Sequence, residues 1–250
     1  MKNTARLTLL VSLLVASGFV TAQTKAPEPD FTLSYNVGAT TDYRYRGISQ
    51  SAKKPALQAG IDYANKNGFY AGGWASSITW IKDSGAGASG PVEIDLYGGY
   101  KTEVAKDVTL DLGVLQYLYA GNTLSKATTA NANTFELYGA VTAGMFTAKY
   151  SHATTNLFGT PNSKNSGYLD LSATIDLGGG LSVVPHVGSQ KVKNAVTYTD
   201  FSVTLNKDFD GLVLSGALVS TDKKKFFTLP GSGSKDLGGT SLVVAIKKNF

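Results

Sequence analysis

Nine charged residues recur where their neighbours are apolar or aromatic: Asp42, Arg44, Arg46, Glu93, Asp95, Glu136, Lys149, Asp170 and Asp200. Alternate residues of a strand share a face, so these nine fall on the face opposite the apolar one. Six carboxylates against three cations there can do two things. They can brace a wall through ion pairs, with Lys149 between Glu136 and Asp170 on neighbouring strands, or they can line a constriction that orients a small polar solute and sets ion preference. Catalysis fits less well. The chain has two histidines. His152 falls on the apolar face near a loop, and His186 shares the polar face with Ser182. Residues four apart in a strand are separated by about 13 Å, too far for a serine to bond its base. There is no cysteine and no paired-histidine spacing for a metal. The glycine-rich pieces 85–90 and 231–233 lack the lysine or helix that a phosphate cradle requires. No enzyme activity, cofactor or metal is expected.

The elements that must position these residues are strands. From Phe31 onward the chain divides into twelve segments of about ten residues with alternating polarity: 31–46, 56–65, 69–80, 92–103, 107–119, 134–142, 145–153, 167–177, 181–189, 197–206, 211–220 and 239–250. In the eighth, Leu169, Leu171, Ala173, Ile175 and Leu177 alternate with Tyr168, Asp170, Ser172, Thr174 and Asp176. Tight glycine- or aspartate-bearing turns, such as Lys66-Asn67-Gly68 and Gly178-Gly179-Gly180, alternate with longer loops. An even strand count with short turns on one rim and long loops on the other predicts an all-β fold: a closed antiparallel transmembrane β-barrel of about 12 strands, with short periplasmic turns and longer extracellular loops.

Both ends agree. Lys2 and Arg6 precede an apolar run and a Val20-Thr21-Ala22 cleavage site, so residues 1–22 read as a signal peptide, 23–30 as a short periplasmic lead and 31–250 as the barrel. At the other end, Leu242, Val244, Ile246 and Phe250 share one strand face, and the terminal Phe250 reads as the signal for the barrel-assembly machinery. Lys248 on that face departs from its apolar pattern, though its long stem can snorkel. Removing the leader takes away two of the positive charges behind the net +5, leaving about +3. That is too little, and too dispersed, for nucleic acid; the run Lys223 to Lys225 reads as a solvated loop.

A soluble sandwich or lipocalin-like barrel would alternate as well, with its apolar face inside. The terminal Phe, the aromatics at strand ends and the loop asymmetry favour lipid outside. That parity puts Tyr35, Val37, Tyr43 and Tyr45 outward on the first strand and Tyr70, Trp74, Ile78 and Trp80 outward on the third. Tyr43, Tyr45, Tyr70 and Trp80 are thereby the candidate aromatics of the interfacial girdles.

The run Thr41-Asp42-Tyr43-Arg44-Tyr45-Arg46-Gly47-Ile48-Ser49-Gln50, with Gly68-Phe69-Tyr70-Ala71-Gly72, Trp74-Ala75-Ser76 and Glu93-Ile94-Asp95-Leu96-Tyr97, resembles the TorF porin family of proteobacterial outer-membrane proteins. The resemblance implies an integral outer-membrane barrel of a Gram-negative bacterium with a channel role, and supplies neither a substrate nor catalytic residues. The expected function is passive diffusion of small hydrophilic solutes with weak cation preference. The alternative is a structural or surface-interaction barrel plugged by its own side chains; an outer-membrane hydrolase ranks last. Expected partners are outer-membrane lipid and lipopolysaccharide, the assembly machinery and small polar solutes. The sequence leaves the oligomeric state open.

Overall fold

Turn chemistry sets the strand pairing. At Asp210-Gly211 and through Gly178 to Gly180 the backbone takes positive φ, the conformation that lets two adjacent strands reverse within a few residues. The computed structural model describes residues 29–223, 227–233 and 235–250. The leader, most of the lead, Lys224 and Lys225 lie outside the described residues. Twelve antiparallel strands follow: β1 (Phe31–Thr40), β2 (Ala56–Asn65), β3 (Phe69–Ser77), β4 (Val92–Ala105), β5 (Val108–Tyr119) and β6 (Thr134–Ala143) make the first half. The second half is β7 (Phe146–Ala153), β8 (Gly167–Ala173, resuming as Ile175–Gly178), β9 (Leu181–Lys191), β10 (Thr197–Phe209), β11 (Leu212–Thr221) and β12 (Ser241–Asn249).

Each strand pairs with the next, and β12 returns to β1, which closes the barrel so that, among the described residues, no wall strand is left with a free edge. The terminal residue takes part in the seam: Phe250 N–H donates to Tyr35 O at 2.9 Å and Tyr35 N–H to Phe250 O at 3.2 Å. Outward positions are apolar, among them Leu33, Val37, Leu169, Leu171, Leu242, Val244 and Ile246. Lys248 follows the same parity and lays its ammonium on the Asp210 carbonyl at 3.0 Å, at the rim of short turns.

Two strands end earlier than alternation predicts. β1 stops at Thr40, and the chain turns inward. β3 stops at Ser77, after which Trp80–Asp83 forms a one-turn helix, α1, and Ser125–Thr128 a second, α2, in the loop after β5. The buried apolar cluster sits beneath these long loops, where Ile81, Leu124 and Ala132 meet Tyr43, Tyr117 and Tyr119. The wall itself has no such core, because one of its faces is apolar and outward.

Deleting Phe250 removes its two hydrogen bonds with Tyr35 from the seam, each contributing about 1 kcal/mol. The amount of folded protein, read as a heat-modifiable band on unboiled gels, is expected to drop sharply. Unchanged amounts would mean the seam closes without it.

Candidate functional site

The first long connection folds into the bore. Arg44–Tyr45 and Ile48–Ser49 pair as a minute antiparallel ladder, and both residues between them, Arg46 (φ 46°) and Gly47 (φ 78°), have positive φ, the geometry of a two-residue hairpin turn. Asp42 anchors its base: its carboxylate accepts from Arg44 Nε at 2.6 Å and from Ser49 Oγ at 2.5 Å. Arg44 also donates to the carbonyls of Gly47, Leu237 and Gly239 and to Ser241 Oγ. The tip lies against the wall at β10 and β11. A Cβ on Gly47 would sit 2.6 Å from Asp200 Cβ and 2.7 Å from Thr221 Cγ2.

Arg46 carries the hairpin across. Its guanidinium donates to Glu136 Oε2 on β6 at 2.8 Å and to Gln190 Oε1 on β9 at 2.6 Å. It also lies 4.3 Å from the centroid of Tyr168 and 4.8 Å from that of Tyr45. The Arg46 and Glu136 side chains are only 6% and 2% exposed. Beside them Tyr45 Oη meets Tyr117 Oη at 2.6 Å. Tyr43 donates to Glu93 Oε1 and packs edge-on against Trp74. Burial, with the Glu93 charge beside it, pushes the Tyr43 phenol well above its ordinary pKa, which keeps it a donor.

A second pattern runs down the wall: carboxylates accept from tyrosine hydroxyls, Glu136 in addition to its pair with Arg46. Tyr97 donates to Asp62, Tyr70 to Asp111, Tyr117 to Glu136 and Tyr168 to Asp200. A phenol satisfies a carboxylate oxygen without cancelling its charge. Asp170 instead meets His186, whose Nε2 is 2.9 Å from Asp170 Oδ2 and whose Nδ1 is 3.6 Å from Asp200 Oδ1. Lys149 does not bridge Glu136 and Asp170; it places its ammonium 4.0 Å from the Tyr138 ring centroid, while Glu136 holds Arg46. Asp95 Oδ1 is buried with no hydrogen-bond partner among the described residues.

The hairpin divides the interior into two chambers that meet at Tyr45. One, of about 600 Å³, is polar and lined by Arg44, Arg46, Lys149, Asp170, His186 and Asp200. The other, of about 360 Å³ under the long loops, is lined largely by apolar and aromatic side chains such as Tyr119, Phe158, Tyr198 and Leu237.

All four girdle candidates point inward. Tyr43 and Tyr45 belong to the hairpin, Tyr70 bonds Asp111, and Trp80 heads α1 and stacks edge-on against Tyr119. Trp74 and Ile78 are inward for the same reason as Tyr70: the turn at Gly68 makes Phe69 the first outward residue of β3, and a one-residue slip exchanges the faces. The outward aromatics gather instead at the rim of short turns. Phe31 stacks on Tyr63 and Phe69 lies tilted against Tyr100, with Phe146, Phe209 and Phe250 exposed nearby. Their signal in the sequence is a phenylalanine beside three of the five tight turns, in Gly68-Phe69, Gly144-Met145-Phe146 and Phe209-Asp210-Gly211.

A family model described as "Bacterial protein of unknown function (Gcw_chp)" matches residues 24–250. The chain belongs to the Gcw_chp family. No curated protein matches this Gcw_chp chain. Among solved structures, it is similar to the KdgM porin, with a TM-score of 0.57 at 8% identity over 87% of this chain and 99% of that one. KdgM in complex with disordered oligogalacturonate gives 0.55 at 8% identity over 87% and 98%. The NanC porin gives 0.54 at 10% identity over 88% and 99%. At these identities the likeness shows a porin-type barrel fold.

Within this Gcw_chp barrel Gly47 is the residue the inserted hairpin tolerates least. Gly47→Val places a branched side chain at positive φ against Asp200 and Thr221, costing on the order of 1–3 kcal/mol for the backbone alone. The heat-modifiable band of the variant should convert to the unfolded form at lower temperature than the native one. An unshifted conversion temperature would contradict the packed tip.

Proposed function

We propose that this chain is an integral outer-membrane channel of a Gram-negative bacterium, through which small hydrophilic solutes diffuse passively with weak cation preference. The observation that carries the reading is the polar 600 Å³ chamber beside the hairpin, bounded toward β11 and β12 by the small side chains of Ala217, Val219, Val243 and Ala245. Phenol-capped carboxylates leave the lumen a negative field, and a narrow negative bore concentrates cations and disfavours anions. The apolar outward face, with its phenylalanines at one rim, suits lipid contact, and Phe250 at the seam suits recognition by the assembly machinery. The long loops would then face lipopolysaccharide and the medium, and the TorF resemblance is consistent with this role. We read the barrel as non-enzymatic, since His186 is engaged by Asp170, Tyr168 and Asp200.

The inserted hairpin favours a second reading, in which the barrel is closed by its own chain and serves as a structural or surface-interaction protein. Conductance of the purified protein in planar bilayers separates the two: discrete channels support the first, a silent bilayer the second.

In a conducting pore, Asp111→Asn with Asp170→Asn removes two lumen carboxylates at nearly constant size. The reversal potential under a salt gradient should move toward the anion value, most at low ionic strength where screening is weakest. An unmoved reversal potential would place these residues outside the ion path. Glu136→Gln acts differently. It leaves the Arg46 guanidinium without its counter-charge, loosens the hairpin and should raise single-channel conductance; equal or lower conductance would show that the hairpin does not limit the bore.

A further inference from the structure

We infer that the 600 Å³ chamber binds a small amphipathic zwitterion, a molecule with an ammonium and a carboxylate at one end and a short apolar chain at the other. The inference rests on the channel reading for its biological use, though not for its chemistry. Lys149 and Asp170 are direct cross-strand partners on β7 and β8, which puts their Cβ atoms about 5 Å apart. Neighbours of opposite charge at that spacing would ordinarily pair. Here each turns to a different partner, Lys149 to the Tyr138 ring and Asp170 to His186. An ammonium offers three donors and a carboxylate about four acceptor sites, so both retain capacity toward the chamber they line.

A dipolar head would satisfy both, its carboxylate on Lys149 and its ammonium on Asp170. A simple anion would face Asp170 uncompensated, and a simple cation would face Lys149. The other charged groups of the lining do not alter this balance: Asp200 faces His186 at 3.6 Å and accepts from Tyr168, and Arg44 and Arg46 spend donors on Asp42, Glu136, Gln190, Ser241 and backbone carbonyls. On the other side of the chamber, Ala217, Val219, Val243 and Ala245 offer a shallow apolar surface suited to a short hydrocarbon chain. The chamber falls within the size range of small-molecule sites, roughly 300–1,000 Å³.

Calorimetric titration of the full chain, folded in micelles, with four probes tests this. Norvaline carries both charges and the chain, pentanoate lacks the ammonium, butylamine lacks the carboxylate, and glycine lacks the chain. Norvaline should bind at least about tenfold more tightly than each of the others. Lys149→Gln should erase its advantage over butylamine, and Asp170→Asn its advantage over pentanoate. Ala245→Leu should weaken norvaline while leaving glycine unchanged, a readout that general unfolding would not give. Equal binding of the four probes, or no binding of any, would overturn the inference. Norvaline binding by a barrel that passes no current would instead sink the channel reading and leave the site standing.

Discussion

A guanidinium taken out of water costs several kcal/mol unless it is paired and hydrogen-bonded, and the interior of this barrel is organised around one such group. Arg46 reaches Glu136 on β6 and Gln190 on β9 from a hairpin that leaves the wall after β1. The rings of Tyr45 and Tyr168 cover its faces. These contacts draw the hairpin across the bore, bring Tyr43 to Glu93 and Tyr45 to Tyr117, and divide the interior into two chambers. Removing either charge would leave the other buried and unpaired, so the hairpin and the wall specify each other.

The tyrosines extend the same logic along the lumen. A wall of carboxylates alone would repel itself, and a wall of ion pairs would be neutral. Phenols supply donors at Asp62, Glu93, Asp111, Glu136 and Asp200, and at Asp62 and Asp111 no cation accompanies them among the described residues. Rigid rings that fill volume and carry one polar tip suit a bore that must be both packed and polar. In the channel proposed above, the same side chains would brace the wall and set the field that solutes meet.

Much of the architecture was legible in the chain. Period-two alternation marks twelve strands, and glycine and aspartate at positive φ mark the hairpin turns. The apolar face of Leu242, Val244, Ile246 and Phe250 faces outward. The hairpin was not legible, for a physical reason. Asp42-Tyr43-Arg44-Tyr45-Arg46 alternates as a membrane strand would, and periodicity cannot distinguish an aromatic that faces outward from one that packs inside against other strands. The cue lay one residue further, in Arg46-Gly47, where a glycine permits a two-residue reversal. On β3 the strand begins at Phe69 in both readings, and what differs is the parity: Phe69, not Tyr70, faces outward. The pairing of tyrosines with carboxylates joins residues as much as 50 apart in sequence, and no local pattern encodes it.

Amide hydrogen exchange across residues 43–51 tests the central claim most directly. The Gln50 amide bonds Tyr43 O and the Ser49 amide bonds Leu237 O, both inside the barrel, so their exchange depends on opening of the packed hairpin. The account predicts protection of these amides comparable to that of the wall strands, lost when Arg46 is replaced by alanine. Exchange of the native segment at the rate of a solvated loop would contradict it.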